Sequence, residues 1–150
     1  MLQNKKTLII GVGNETRRDD GVGAYIIDRL NKLFRKNASI TTMLVHQLGP
    51  EIIEELEKYD RVIFIDATTE EIPEGFKIGY LSPKFEISFT FHYFSPASLL
   101  ALLKELTGKS IEGWVCSVKG ENFNFGIDLS EKTLMYSRKA MKKLLERILK

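Results

Sequence analysis

Thr7-Leu8-Ile9-Ile10-Gly11-Val12-Gly13-Asn14 is the stretch from which the fold can be read. A run of uncharged, mostly apolar residues with no polar alternation is the pattern of a strand covered on both faces, and the glycines at its end mark a turn. After the polar segment Asn14 to Asp20, apolar residues return at Val22, Ile26, Leu30 and Leu33, the spacing of one helix face. Outward from this strand–turn–helix unit the pattern repeats. A second strand is expected from Ile40 to Val45, and Gly49-Pro50 opens a helix with Ile52, Ile53 and Leu56 inward, proline being well tolerated at the first helical position. Arg61-Val62-Ile63-Phe64-Ile65-Asp66 reads as a further buried strand running out into a carboxylate. Phe76 to Leu81 is a weaker strand between Gly75 and Pro83. Ser95-Pro96 caps and starts a helix carrying Leu99, Leu103 and Leu106, and Trp114 to Val118 supplies another strand. A last helix follows Ser130, with Met141, Leu144, Leu145 and Ile148 inward. Strands alternating with helices imply crossover connections and a largely parallel sheet covered on both sides, a three-layer α/β/α sandwich.

Composition narrows the function classes. A chain of 150 residues with 43% hydrophobic and 28% charged residues is expected to form one globular domain, residues 1–150. A net charge of +2 gives no electrostatic case for nucleic acid as a partner. Lys139, Lys142, Lys143, Arg147 and Lys150 are interleaved with apolar positions at helical spacing, so they read as a solvated helix face. Leu8-Ile9-Ile10 is too short for the core of a signal peptide, and no run approaches the roughly 18 apolar residues of a membrane helix. A soluble, cytoplasmic protein is the expectation. The one cysteine, Cys116, rules out an internal disulfide; it lies in an apolar strand with no neighbouring base and is expected to be packed rather than nucleophilic.

In open α/β sheets ligands gather outside the carboxyl ends of the strands. Three segments leave those ends with unusual chemistry. Gly11 to Gly23 is glycine-rich and doubly acidic, but a dinucleotide fingerprint needs glycine where Thr16 stands, the second strand ends at His46 rather than at an acid, and no Lys-Ser or Lys-Thr pair makes a phosphate loop. The segment is left as a tight turn delivering carboxylates to the sheet edge. In Asp66-Ala67-Thr68 a strand ends on an acid, which serves either a site or a turn cap. In Phe89-Thr90-Phe91-His92-Tyr93-Phe94 a histidine stands among aromatics, as a ligand or as a satisfied core residue. Asp20, Asp66 and His92 are all expected on one edge. Two carboxylates and an imidazole, with positions open to water or substrate, suit a divalent transition metal such as nickel or zinc.

These residues resemble a known family, the hydrogenase maturation endopeptidases. The resemblance runs through nearly the whole chain: Gly11-x-Gly13-Asn14, Asp19-Asp20-Gly21-x-Gly23, Ile65-Asp66-Ala67, His92 with Ser95-Pro96 and a leucine-rich helix, and Gly126-Ile127-Asp128-Leu129-Ser130 before the last helix. It implies a mixed five-stranded sheet in the order 2-1-3-5-4, with the fourth strand, Phe76 to Leu81, antiparallel. It also implies an endopeptidase that trims the carboxy-terminal extension from the large-subunit precursor of a nickel-iron hydrogenase once nickel has been inserted. Asp20, Asp66 and His92 then fall on the family's metal-contacting and catalytic positions, with nickel delivered on the substrate and zinc or cadmium able to replace it in crystals. The first position is often glutamate in relatives, so Asp20 is the shorter form. His46-Gln47-Leu48-Gly49-Pro50-Glu51 is similar to the variant of members serving soluble, cofactor-reducing hydrogenases, and His46 either lines the cleft or caps the next helix. Two other readings stay open. Asp20 and Asp66 form an aspartyl pair sharing a proton without metal, or the chain is a non-catalytic nucleotide- or metal-binding domain acting as an assembly chaperone.

Overall fold

The computed structural model describes residues 5–86 and 94–149. Strand β1 (Thr7–Val12) leads through a 3₁₀ turn at Arg18–Gly21 into helix α1 (Val22–Phe34), followed by β2 (Ile40–Val45). A 3₁₀ turn at Pro50–Ile52 and the short helix α2 (Ile53–Leu56) precede β3 (Arg61–Thr68) and β4 (Phe76–Leu81). Helix α3 (Pro96–Thr107), β5 (Glu112–Lys119) and α4 (Glu131–Ile148) complete the order. The five strands form one sheet, ordered β2-β1-β3-β5-β4. β1 pairs in parallel with β2 and β3, β3 in parallel with β5, and β4 runs antiparallel on β5, with Phe76 opposite Val118. The mixed sheet and its order are those the resemblance implies.

The sheet separates two cores, and this explains why its central strands show no polar alternation. Successive side chains point to opposite faces. On one face Leu8, Ile10, Val62 and Phe64 pack with Leu56 of α2 and Leu99 and Leu103 of α3. On the other, Ile9, Ile63 and Ile65 meet Val22, Ile26 and Leu30 of α1 and Leu144 of α4. Each side chain removed from water in this way contributes roughly 1.5–3 kcal/mol before entropy is counted. Ser95 and Ser130 cap α3 and α4, accepting hydrogen bonds from the Ser98 and Thr133 amides at 3.1 and 3.4 Å.

Some sequence expectations need correction. Leu33 and Leu106 are 60% and 65% exposed. Each lies in the last turn of its helix on the side turned to solvent, and in α1 it is the next residue, Phe34, that packs against the core. The helix expected after Pro50 shrinks to a 3₁₀ turn and one α-helical turn. β3 does not stop at Asp66, because Ala67 and Thr68 continue the ladder opposite Val118 and Lys119 of β5. Cys116 is fully buried, and burial pushes its thiol up to about 12, so no thiolate forms at neutral pH. Among the described residues no helix is long and apolar enough to cross a membrane.

Candidate active site

The carboxyl ends of β1 and β3, the 3₁₀ turn and the start of α3 enclose a cleft of about 430 Å³. Asp20 and Asp66 both line it, with Val12, Gly13, His46, Leu48, Glu86, Phe94, Ser95 and Pro96. Two glycines bring the elements close enough. Gly13 adopts φ +136°, a value side chains disfavour, and a Cβ there would collide with the Asp20 carbonyl. Gly23 lets α1 lie directly on the sheet, since a Cβ would stand 2.9 Å from the Val12 nitrogen and 3.1 Å from the Ile65 carbonyl. The turn is therefore built for close backbone packing. Its Asn14 amide, which a phosphate-binding turn would offer to a ligand, instead donates to Asp20 Oδ2 at 2.7 Å. The chain's own carboxylate occupies that donor, which counts against the nucleotide reading.

Asp66 accepts a 2.8 Å hydrogen bond from the Ala67 amide through Oδ1. Burial raises its pKa most, the Ala67 hydrogen bond opposes that, and the nearby Asp20 charge raises it further, to about 7. The cleft thus holds an acid that exchanges its proton near neutral pH beside a second carboxylate. His46 is exposed at the rim, after β2. Glu86 also reaches the cleft and accepts a 2.6 Å hydrogen bond from the Ser95 hydroxyl. Its backbone amide donates to Ser98 Oγ at 2.8 Å and the Lys84 amide to the Ala97 carbonyl at 3.1 Å, holding this segment over the first turn of α3. Sequence alone does not single out Glu86 as a site residue, although Lys84 to Tyr93 alternates polar and apolar residues and sets Glu86 in phase with His92.

Asp19, next to Asp20, behaves differently. It is fully buried and accepts four hydrogen bonds, from the Glu121, Asn122 and Ser130 amides at 2.7, 2.8 and 2.7 Å and from the Ser130 hydroxyl at 2.8 Å. Burial alone would raise its pKa, but the bonds from Ser130, Asn122 and Glu121 outweigh it and hold the group below the usual carboxylate range. Backbone bonds from the Arg18 amide to the Gly126 carbonyl at 2.9 Å and from the Asp19 amide to the Asn122 carbonyl at 3.0 Å, with the Gly126 amide donating back to the Thr16 carbonyl at 2.9 Å, lock the two loops together. Arg18 is held there at φ +43°, a conformation non-glycine residues adopt only when their surroundings impose it. The doubly acidic motif therefore divides into one structural and one cleft-facing carboxylate.

Of the three residues expected to gather on this edge, the structure brings Asp20 and Asp66 into one cleft; His92 lies outside the described residues. Among the described residues no three His, Cys, Asp or Glu side chains group closely enough to hold a metal ion by themselves. Two oxygen donors opening on a shared cleft fit part of a divalent-metal site and leave the remainder to further ligands.

No family model matches the chain, and no curated protein matches it significantly. Solved structures do. The hydrogenase maturating endopeptidase HybD from E. coli superposes with a TM-score of 0.77 at 19% identity, over 95% of this chain and 91% of that one. The NiFe hydrogenase maturation protease HycI from Thermococcus kodakarensis KOD1 gives 0.73 at 20% identity, over 96% and 93%. The hydrogenase 2 maturation peptidase from Thaumarchaeota archaeon SCGC_AB-539-E09 gives 0.69 at 21% identity, over 96% and 98%. Along almost its entire length, the chain has the fold of the hydrogenase maturation proteases.

Proposed function

We propose that this chain is a cytoplasmic endopeptidase of hydrogenase maturation, removing the carboxy-terminal extension from the large-subunit precursor of a nickel-iron hydrogenase. The observation that carries this reading is the meeting of Asp20 and Asp66 in one cleft of a fold shared, along nearly the whole chain, with maturation proteases. In the proposal nickel is part of the substrate. It arrives held by precursor thiolates, and Asp20, Asp66 and His92 fill the positions left open. Metal–ligand bonds then form only with a loaded precursor, so selectivity is a difference in affinity between loaded and empty substrate, and the same bonds hold the scissile peptide in place. Asp66 adds a refinement. A cation beside it favours the ionised form, so docking of a loaded precursor would release the proton that burial otherwise retains near neutral pH.

The test uses purified protein and candidate precursors with and without nickel, following the precursor's mass. The expected outcome is trimming of loaded precursor alone, by an enzyme that is largely metal-free after dialysis. Stoichiometric retained metal with equal cutting of both substrates would make the ion a resident cofactor. Binding of precursor without any trimming would favour an assembly chaperone.

One observation favours a second reading. Asp66, raised to about 7 chiefly by burial and further by the Asp20 charge, is in this reading the protonated acid of an aspartyl pair whose second member is Asp20. Chelator-resistant cleavage with an acidic optimum would select this metal-free aspartyl mechanism.

A further inference from the structure

The opposite edge of the sheet carries a second constellation, unrelated to the cleft. Between the beginnings of β3 and β5 and the last turns of α4 lies a pocket of about 210 Å³, lined by Lys5, Arg61, Glu112, Trp114 and Arg147 among others. Three cations meet one carboxylate there, and that carboxylate is already engaged. Glu112 Oε1 accepts from Lys5 Nζ at 2.6 Å, and Oε2 accepts from the Trp114 indole at 2.7 Å. Arg61 is only 8% exposed, although an arginine is rarely buried without full pairing. Its Nε donates to Thr7 Oγ1 at 3.1 Å and its Nη2 to the Ile148 carbonyl at 3.4 Å. Nη1 has only Glu112 Oε2 at 4.0 Å, beyond hydrogen-bonding distance. Arg147 stacks over Trp114 at 4.8 Å from the ring centroid and has no anionic partner among the described residues. Two guanidinium groups thus border one small pocket in which the one described carboxylate, Glu112, is hydrogen-bonded to Lys5 and Trp114 and reaches Arg61 only at 4.0 Å. Ile63, Ile78 and Leu144 supply apolar wall beside them.

We propose that this pocket binds a carboxylate with a compact apolar body, the carboxylate held between Arg61 and Arg147 and the body placed against Trp114. A carboxylate matches the forked donors of guanidinium in shape as well as charge. The small volume and the apolar walls favour a ligand the size of one amino-acid side chain with its terminal carboxylate. Two sources offer that chemistry: a free small acid, or the carboxyl terminus of a peptide ending in an apolar residue. The inference does not depend on the proposed protease activity.

Trp114 is the chain's single tryptophan, so intrinsic fluorescence reports on this pocket directly. Full-length protein is titrated with N-acetyl-leucine, with N-acetyl-leucinamide, and with a pentapeptide ending in leucine as free acid and as amide. N-acetyl-leucine should give a saturable change and its neutral amide none. R147Q alters an exposed side chain and should keep the wild-type melting temperature while weakening binding at least about tenfold, the loss of one charge-assisted contact. Tighter binding of the peptide acid than of N-acetyl-leucine would identify a chain terminus as the occupant; exclusion of the peptide would identify a free acid. Absence of a saturable response to both acids, or an unchanged response in R147Q, would overturn the proposal and leave Arg61 as a cap on the end of α4.

Discussion

Two adjacent aspartates at the carboxyl edge of the sheet have opposite fates, and the difference lies in their partners. Asp19 is surrounded by donors: three amides and a hydroxyl converge on it, and it ties the loop before α1 to the segment leading into α4. Asp20 takes one backbone hydrogen bond and turns toward the cleft where Asp66 also opens. A carboxylate whose lone pairs are filled by its own chain has nothing left for a ligand. One with vacant lone pairs beside a second acid stores unfavourable electrostatics that a cation or a shared proton relieves. The sharpest tests of the site are those that treat the two neighbours differently.

The largest contrast should appear in activity. Asp20→Asn, Asp66→Asn and His92→Ala should each lower precursor processing by at least about 1,000-fold, equivalent to roughly 4 kcal/mol of transition-state stabilisation, without a large fall in melting temperature, and Asp66→Asn should melt no lower than wild type at neutral pH. Time courses of precursor mass, read beside thermal melts, check this. Normal rates in any two of the three variants would remove the site assignment. Asp19→Ala should do the reverse of a clean active-site change. Leaving three amides without their acceptor should cost about 3 kcal/mol of folding stability, measured by urea unfolding, and any loss of processing should follow the loss of folded protein.

The pH dependence of stability separates the same groups more finely. Asp66 has its pKa raised in the folded state, from the usual 3.8 to about 7, so its favourable contribution is complete below about pH 4 and disappears as pH rises through 7. Asp19 is lowered, so its contribution is present above the usual carboxylate value and is lost as pH falls through its lower native one. The free protein should therefore lose stability to Asp66 between about pH 4 and 7, with a slope no steeper than about 1.4 kcal/mol per unit, and Asp66→Asn should flatten it. An unchanged slope in that variant would show that Asp66 titrates normally. The smallest effect is expected on the other side of the comparison, in the packed core. Cys116→Ala should keep full processing activity and lose about 1 kcal/mol through a small cavity. Inactivation of the folded variant would revive a thiol mechanism.

The sequence by itself determined the elements, because their signals are local. Continuous apolar runs at β1 and β3 require cover on both faces, and Ser95-Pro96 and Ser130 mark helix starts through caps that form within four residues. The bounds of β1, β2 and β4 agree with their patterns for that reason. The strand order came from a resemblance between motifs, since strand pairing is a long-range choice that periodicity does not encode. The site was legible as a set of acids at strand ends, and Asp20 and Asp66 do share one cleft. Their division of labour with Asp19 was not, because it depends on amides more than 100 positions away in the chain. The same holds for β3, whose ladder runs past Asp66 only because β5 extends beside it, and for Arg61, whose buried guanidinium is set by the end of α4. Tertiary structure decided which polar groups were satisfied by the chain and which were left for something else, because satisfaction is a property of distance in space.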